Sequence, residues 1–291
     1  MKKLKYDVRQ GSAGDNKNCI IYAVFKKERT MTKQVRIVDV SPENMYESPC
    51  CGIKNTEHKG YKQKASWLKT HFKKGFKAKV LYTEDNRQLG YIEYIPGQYA
   101  WRAVEAEGYM LIHCLWTYWK KYKGKGYGKL LIESAVDEAK KAKMKGVAVV
   151  ARERPWLAKS DIFLKNGFEV VDTAPPDYEL LVKKFNTSSP NPKFKDNWDE
   201  KLKRYGEGLT IIRAEQCPHS AKFADDIADV AKNLYKLKTT IVELKNHREA
   251  QNAPTPFAVF AIIYNGQILT DHQISRTRFE NIMNKIMKPD L

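Results

Sequence analysis

The clearest periodicity in the chain begins at Tyr127, where apolar residues fall at Leu130, Leu131, Ala135, Ala139 and Ala142. That three-to-four spacing makes one buried helix face. An apolar run, Leu111-Ile112-His113-Cys114-Leu115-Trp116, precedes the helix, and Gly146-Val147-Ala148-Val149-Val150 follows it, both with the composition of buried strands. Upstream, Gln34 to Val40 predicts a strand, and Ser41-Pro42-Glu43-Asn44 a helix start with proline in the first turn. Lys62 to Lys73 predicts a helix through Ala65, Trp67, Leu68 and Phe72, and Phe76 to Thr83 with Gln88 to Ile95 two strands about the turn Glu84-Asp85-Asn86-Arg87. Ile20 to Phe25 has strand composition but polar flanks, so residues 1–33 read as an N-terminal extension.

The pattern breaks after Phe185. Asn186-Thr187-Ser188-Ser189-Pro190-Asn191-Pro192 holds only turn and linker residues, which predicts a flexible joint, a linker over 186–206 and a second unit over 207–291. Within that unit Leu209 to Arg213 predicts a strand, and Ala221 to Lys236 a helix with Phe223, Ala224, Ile227, Ala231 and Leu234 on one face. Thr239 to Leu244 follows as a strand, Phe257 to Tyr264 and Gln267 to Thr270 as a hairpin about Asn265-Gly266, and Arg276 to Met287 as a final helix. Strands alternating with helices in both units predict an α/β (α+β) protein.

Composition narrows the function classes. The net charge is +18, but the lysines are spread along the chain rather than gathered into an arginine-rich, aromatic-interleaved stripe, which argues against nucleic acid as the partner. No apolar run reaches the roughly 18 residues of a membrane span, and no apolar stretch stands behind the basic N-terminus, so the expected location is the cytoplasm with no membrane partner. Cys19, Cys50, Cys51, Cys114 and Cys217 lack the paired spacing of a zinc site, so reduced thiols and no metal are expected.

Between the strand and the Tyr127 helix lies Lys123-Gly124-Lys125-Gly126-Tyr127-Gly128. Glycines at a helix N-terminus let an anion approach unpaired backbone N–H groups and the positive end of the helix dipole, and Lys123 and Lys125 add charge at the rim. The spacing fits neither a Walker loop nor a dinucleotide fingerprint. It resembles the acetyl-CoA loop of the GNAT N-acetyltransferases, Arg/Gln-x-x-Gly-x-Gly/Ala, with Lys123 at the basic position and Gly126 and Gly128 as the glycines. Phe163-Leu164-Lys165-Asn166-Gly167-Phe168 resembles the helix-ending Lys-x-Gly-Phe of that family. Ile95-Pro96-Gly97, Tyr99-Ala100-Trp101-Arg102, the His113 to Trp116 strand and Asn166 to Asp172 look like its YoaP-like branch, in which a small C-terminal extension follows the acetyltransferase module.

The resemblance implies that residues 34–185 form the GNAT mixed sheet with splayed central strands, and that acetyl-CoA is the co-substrate. Its pyrophosphate is expected on the amides of Lys125 to Gly128, its acetyl carbonyl near the amide of Tyr118, and its acetyl group is transferred to a primary amine of an acceptor that the sequence does not identify. The family's general acid is often a tyrosine four residues before the Gly-Phe pair. Phe163 stands there and cannot donate a proton, so Tyr178, Tyr118 or Ser160 become substitutes; Trp156 and Lys159 also depart from the family's usual asparagine and alanine. Glu93 is the first candidate base and His113 the second, each with the plainer alternative of a solvated strand carboxylate or a hydrogen-bonded core histidine. The segment Gln98 to Gly108 brings Tyr99, Trp101 and Arg102 to the edge of the cleft, where they suit an acceptor with an apolar body and a carboxylate or phosphate.

In the second unit, Cys217-Pro218-His219-Ser220 at the first strand-to-helix junction and Thr255-Pro256 before the hairpin resemble a thioredoxin-like domain. The resemblance implies a cis peptide at Pro256 and a Cys217 thiol activated by the helix dipole and His219, below the ordinary value of about 8.5. Ser220 replaces the usual second cysteine, which leaves either monothiol chemistry or a recognition role without redox activity. A rival reading of the whole chain follows, in which it is a thiol-recognising or monothiol redox protein whose acyl-CoA-binding module is not catalytic.

Overall fold

The structure, a computed structural model, describes residues 6–10, 21–25, 35–48, 51–118, 122, 124–153 and 155–287. The first unit runs β1 (Tyr6–Gln10), β2 (Ile21–Phe25), β3 (Val35–Val40), α1 (Lys59–Phe72), β4 (Lys77–Thr83), β5 (Gln88–Pro96), β6 (Val104–Glu105), β7 (Tyr109–Thr117), α2 (Tyr127–Lys141), β8 (Gly146–Ala151), α3 (Ser160–Leu164), β9 (Glu169–Ala174) and β10 (Tyr178–Lys184). The second runs β11 (Lys193–Phe194), α4 (Trp198–Leu202), β12 (Leu209–Arg213), α5 (Ser220–Tyr235), β13 (Thr239–Glu243), α6 (His247–Gln251), β14 (Phe260–Tyr264), β15 (Gln267–Thr270) and α7 (Arg276–Met287).

The protein is mixed α/β. Its large sheet has the order β1-β2-β3-β4-β5-β7-β8-β10-β9 and carries one parallel pair, β7 with β8, which the crossover helix α2 connects. That pair is matched only from Tyr109 opposite Gly146 to Ile112 opposite Val149. Beyond Ile112, β7 keeps β5 on one side while β8 departs on the other, and a gap opens in the middle of the sheet. The register with β5 slips inside this stretch: Glu93 faces Cys114 and Tyr94 faces Ile112, so His113 is an extra residue, a bulge.

Two cores cover the two faces. Leu131, Ala135 and Ala139 of α2 pack on Leu89, Ile92, Ile112, Val147 and Val149. On the other face a second cluster takes in Trp67 and Leu68 of α1, Tyr91 and Leu111 of the sheet, and continues without a break into Ile211, Ile227 and Phe260 of the second unit. The second unit is a four-stranded sheet, β13-β12-β14-β15, with β12 parallel to β13 across α5 and the other pairs antiparallel.

The structure departs from the sequence expectations in four places. Residues 42–47 form turns rather than a helix, with Asn44 accepting from the Ser41 amide and donating to the Asp39 carbonyl. The extension supplies two strands, and β2 pairs with β3. The expected flexible joint is pinned by polar contacts: Tyr109 donates to the Pro190 carbonyl at 2.7 Å, Lys184 donates to Asn191 at 2.9 Å, and β11 then pairs with β6 and buries Phe194. The one cis peptide among the described residues is Pro175-Pro176, so Thr255-Pro256 is trans, the lower-energy form of an X–Pro bond.

The two units meet closely where α1 begins. A Cβ added to Gly60 would lie 1.9 Å from the Pro218 carbonyl oxygen, a backbone atom that cannot move aside alone. Gly60→Ala is therefore expected to cost about 1–3 kcal/mol, the range for overpacking a close contact, although alanine is the better helix former. Chemical denaturation checks the loss, and protease sensitivity within residues 186–206 is expected to rise with it.

Candidate active site

The gap beside β7 opens into a cavity of about 630 Å³ bounded by Trp116, Thr117, the glycine loop, Lys129 and α3. Gly124 has φ 77° and Gly126, which caps α2, has φ 85°, the left-handed region glycine adopts without strain. Nothing lies within 4 Å of where a Gly124 side chain would stand, whereas a Cβ on Gly128 would meet Ile162 Cδ1 at 2.5 Å. Gly124 thus faces open space at the mouth, Gly126 supplies the left-handed cap of α2, and Gly128 lets α3 close against α2. The first turn of α2 carries no acidic residue, which leaves its N-terminal amides and dipole to an incoming anion. Lys123 lies outside the described residues. Lys125 stands over the Tyr122 ring at 5.5 Å, and Lys129, Lys159 and Lys165 line the cavity wall.

The Tyr118 amide is not free to meet an acyl oxygen, because it donates to the Leu89 carbonyl at 2.8 Å; its hydroxyl accepts from Gln88. Gly90 and Thr117 form the neighbouring pair, so with Tyr118 facing β5 the amides of Thr117 and Leu115 face the other edge, where β8 has left.

Behind Trp116, which lines both spaces, lies a second cavity of about 330 Å³ between the two units. The first unit contributes Cys51, Glu93, Arg102, His113, Cys114 and Trp156, and the second Gln216, Cys217, His219 and Phe257. The bulge explains the wall from β7: strict alternation would send His113 and Cys114 to opposite faces, and the extra residue lets both reach one cavity. Glu93 and Lys64 are both fully buried and pair at 2.9 Å. Tyr91 donates to Glu93 Oε2 at 2.7 Å, Gln216 donates to Oε1, and Lys64 donates to the Gln216 carbonyl at 2.6 Å. Glu93 is therefore no solvated strand carboxylate.

His113 accepts the Trp101 amide on Nε2 at 2.9 Å, which leaves the ring proton on Nδ1. Burial, then the charges of Arg102 and Lys64, hold its imidazole well below the ordinary range. It is a neutral donor rather than a base. Arg102 donates to the Trp101 and His113 carbonyls at 2.8 and 2.9 Å and covers the Phe257 ring at 4.9 Å.

Other expected site residues lie elsewhere. Trp101 is buried in the core, its Nε1 donating to His71 at 3.0 Å, and Tyr99 packs on His247; neither lines the cavity. Tyr178 is buried under Arg152, whose guanidinium lies 4.0 Å from the ring centre and donates to its hydroxyl, and burial pushes its phenol far up. It lines neither cavity and has no route to a leaving thiolate. Phe163 is a core residue against Phe168, and the Ser160 hydroxyl is spent on Glu179. Trp156 closes the inner cavity: its Nε1 donates to the Gln273 carbonyl at 2.9 Å and its ring abuts Phe223. Among the described residues no cluster of His, Cys, Asp or Glu has the geometry to hold a metal, and no helix is long and apolar enough to cross a membrane.

The chain resembles known proteins in sequence and in structure. A family model described as YoaP-like matches residues 239–281. The uncharacterized N-acetyltransferase YoaP of Bacillus subtilis (strain 168) is 27% identical over 259 residues, covering 86% of this chain and 98% of that one. The chain is similar to YoaP along most of its length. Among solved structures, the GNAT family N-acetyltransferase YhbS of Escherichia coli in complex with CoA gives a TM-score of 0.38 at 13% identity, with 58% of this chain and 93% of that chain covered. Nourseothricin acetyltransferase gives 0.30 at 15% identity over 38% of this chain, which spans 66% of the other, under two thirds of its length.

Cys217 lines the inner cavity rather than a solvated turn. Burial pushes its thiol up to about 11, and His219, itself lowered by burial, brings no positive charge. The expected activation is reversed. Iodoacetamide labelling of Cys217 at pH 7.5 is expected to run about 300-fold below a free thiol of pKa about 8.5, from the thiolate fraction alone, and to climb tenfold per pH unit up to about pH 10. Peptide mass spectrometry across a pH series checks it.

Proposed function

We propose that the protein is an acetyl-CoA-dependent N-acetyltransferase of the GNAT type, acting on a primary amine. The observation that carries the reading is the coincidence of the gap beside β7 with the glycine-opened N-terminus of α2. An extended acyl-pantetheine arm fits the gap, its pyrophosphate reaching the amides of Lys125 to Gly128 under the lysine rim and its acyl end reaching Trp116. The similarity to an N-acetyltransferase along 86% of the chain supports the same reading.

The chain's own groups then take these roles. The Leu115 and Thr117 amides, fixed by the strand, hold the acyl oxygen as negative charge grows on it. The acceptor lies in the inner cavity, on the other side of Trp116, with the carboxylate of Glu93 positioned by Lys64, Tyr91 and Gln216 to take a proton from its nitrogen. Tyr118 and Tyr178 line neither cavity, Ser160 is spent on Glu179, and the tyrosines of the outer cavity, Tyr122 and Tyr127, stand at the glycine loop, so the departing thiolate takes its proton from solvent through the open mouth. The second unit, whose βαβαββα order and Cys217 turn suit a thioredoxin-like module, serves here as a wall of the acceptor site and not as a redox centre.

Calorimetry with acetyl-CoA tests the reading. The wild-type chain is expected to bind, and Gly126→Val, which places a β-branched side chain in the mouth, is expected to weaken binding by roughly 100-fold, about 2.8 kcal/mol, with an unchanged circular dichroism spectrum. Equal affinity in a folded variant would exclude the loop as the phosphate site.

A further inference from the structure

The inner cavity contains a positive charge that the described residues do not neutralise. Its wall holds one guanidinium, Arg102, and one carboxylate, Glu93, and behind that carboxylate stands the Lys64 ammonium. Lys64 takes that carboxylate at 2.9 Å. Arg102 is only 3% exposed, and among the described residues its partners are two backbone carbonyls and the Phe257 ring. A buried guanidinium carries a large desolvation cost that carbonyls and a ring repay only in part. His113 lines the same cavity, and among the described residues its buried, protonated Nδ1 has no hydrogen-bond partner. A donor left so costs about 1–3 kcal/mol until an acceptor arrives. The site as built lacks one anion.

We propose that the acceptor brings that anion: it is an α-amino acid with an apolar side chain, its carboxylate on Arg102 and its amine turned toward Glu93. The proposal rests on the acyl-transfer reading above. A carboxylate suits the site better than a phosphate, because one guanidinium and one imidazole N–H match a planar monoanion and leave a dianion undercompensated. The remaining wall is apolar and soft, with Trp156, Phe257 and the neutral thiols of Cys51 and Cys217, and it suits an aromatic or thioether side chain. At about 330 Å³ the space is at the low end for small-molecule sites, which fits a free amino acid and not a protein segment. In the reaction the amine lone pair forms the new C–N bond, the acyl C–S bond breaks, and the proton lost by nitrogen passes through Glu93 to solvent while the thiolate takes one up. The products are the N-acetylamino acid and free CoA.

The test uses the full chain with phenylalanine, tryptophan, leucine and methionine, each beside its carboxamide. Calorimetry without acetyl-CoA reads binding, and mass spectrometry of the acetylated product reads turnover. At least one acid is expected to bind saturably and to exceed its carboxamide in kcat/KM by about 100-fold or more, since the amide leaves Arg102 unpaired. Arg102→Met is expected to remove the preference for the acid, and Arg102→Lys to keep part of it; the acid-against-amide comparison on the unaltered protein stands even where a variant fails to fold. Equal turnover of acid and amide overturns the inference and leaves the acyl-transfer reading intact. Saturable binding of an acid with no acetyl transfer upholds the anion site and sinks that reading. No binding by any acid overturns the inference.

Discussion

The arrangement depends on a buried ion pair. Lys64 rises from α1, Glu93 from β5, and Gln216 from the second unit locks both, giving one hydrogen bond to the carboxylate and its carbonyl to the ammonium. Removing two charges from water costs several kcal/mol each, and the interaction is tolerable only because Tyr91 and Gln216 fill the remaining positions. Loss of either partner would strand the other at roughly 3–5 kcal/mol. A hydrophobic pair could hold α1 on the sheet as firmly. What it could not do is present a carboxylate with fixed orientation in the chamber that Arg102 and His113 also line.

Two irregularities in regular elements make the rest possible. One is the parting of β7 from β8 after four matched pairs, which exposes a strand edge inside the sheet where sheets are normally sealed. The other is the bulge at His113, which brings consecutive side chains to one cavity and turns the His113 carbonyl to Arg102. Each irregularity is stabilised by neighbours: α2 covers the parting from one face, and the second unit covers the bulge from the other.

Much of the fold was legible because periodicity reports burial directly. The helices α2 and α7 lie where spacing places them, since each has one wet and one dry face, and β12 and β15 lie where an apolar run and the Asn265-Gly266 turn place them. The glycine loop was legible for a related reason, glycines before a helix being costly unless something must pass close by. The rest of the site was legible in part: Glu93, His113 and Arg102 were candidates from the sequence, but Arg102 was grouped with Tyr99 and Trp101 at the edge of the cleft, and only the structure separates it from them, Trp101 turning into the core and Tyr99 toward α6. Cys51, Gln216 and Phe257 lie far apart in sequence and carry no local signal. Cys217 followed the wrong local rule: helix-terminus chemistry presumes solvent, and burial against the first unit outweighs it. The joint at 186–192 lacks apolar anchors, yet Tyr109 and Lys184 donate to its backbone carbonyls and to the Asn191 side-chain oxygen, a kind of attachment that hydropathy does not register.

The partition of the inner chamber between two chain segments has an evolutionary corollary. The outer cavity is lined wholly by the first unit, whereas Gln216, Cys217, His219 and Phe257, which lie beside Glu93 in the inner one, belong to the appended unit. On the acyl-transfer reading proposed above, drift in the appendage would retarget the protein to new amines while the donor machinery stays under unchanged selection, much as a key blank is recut without altering the lock's spring.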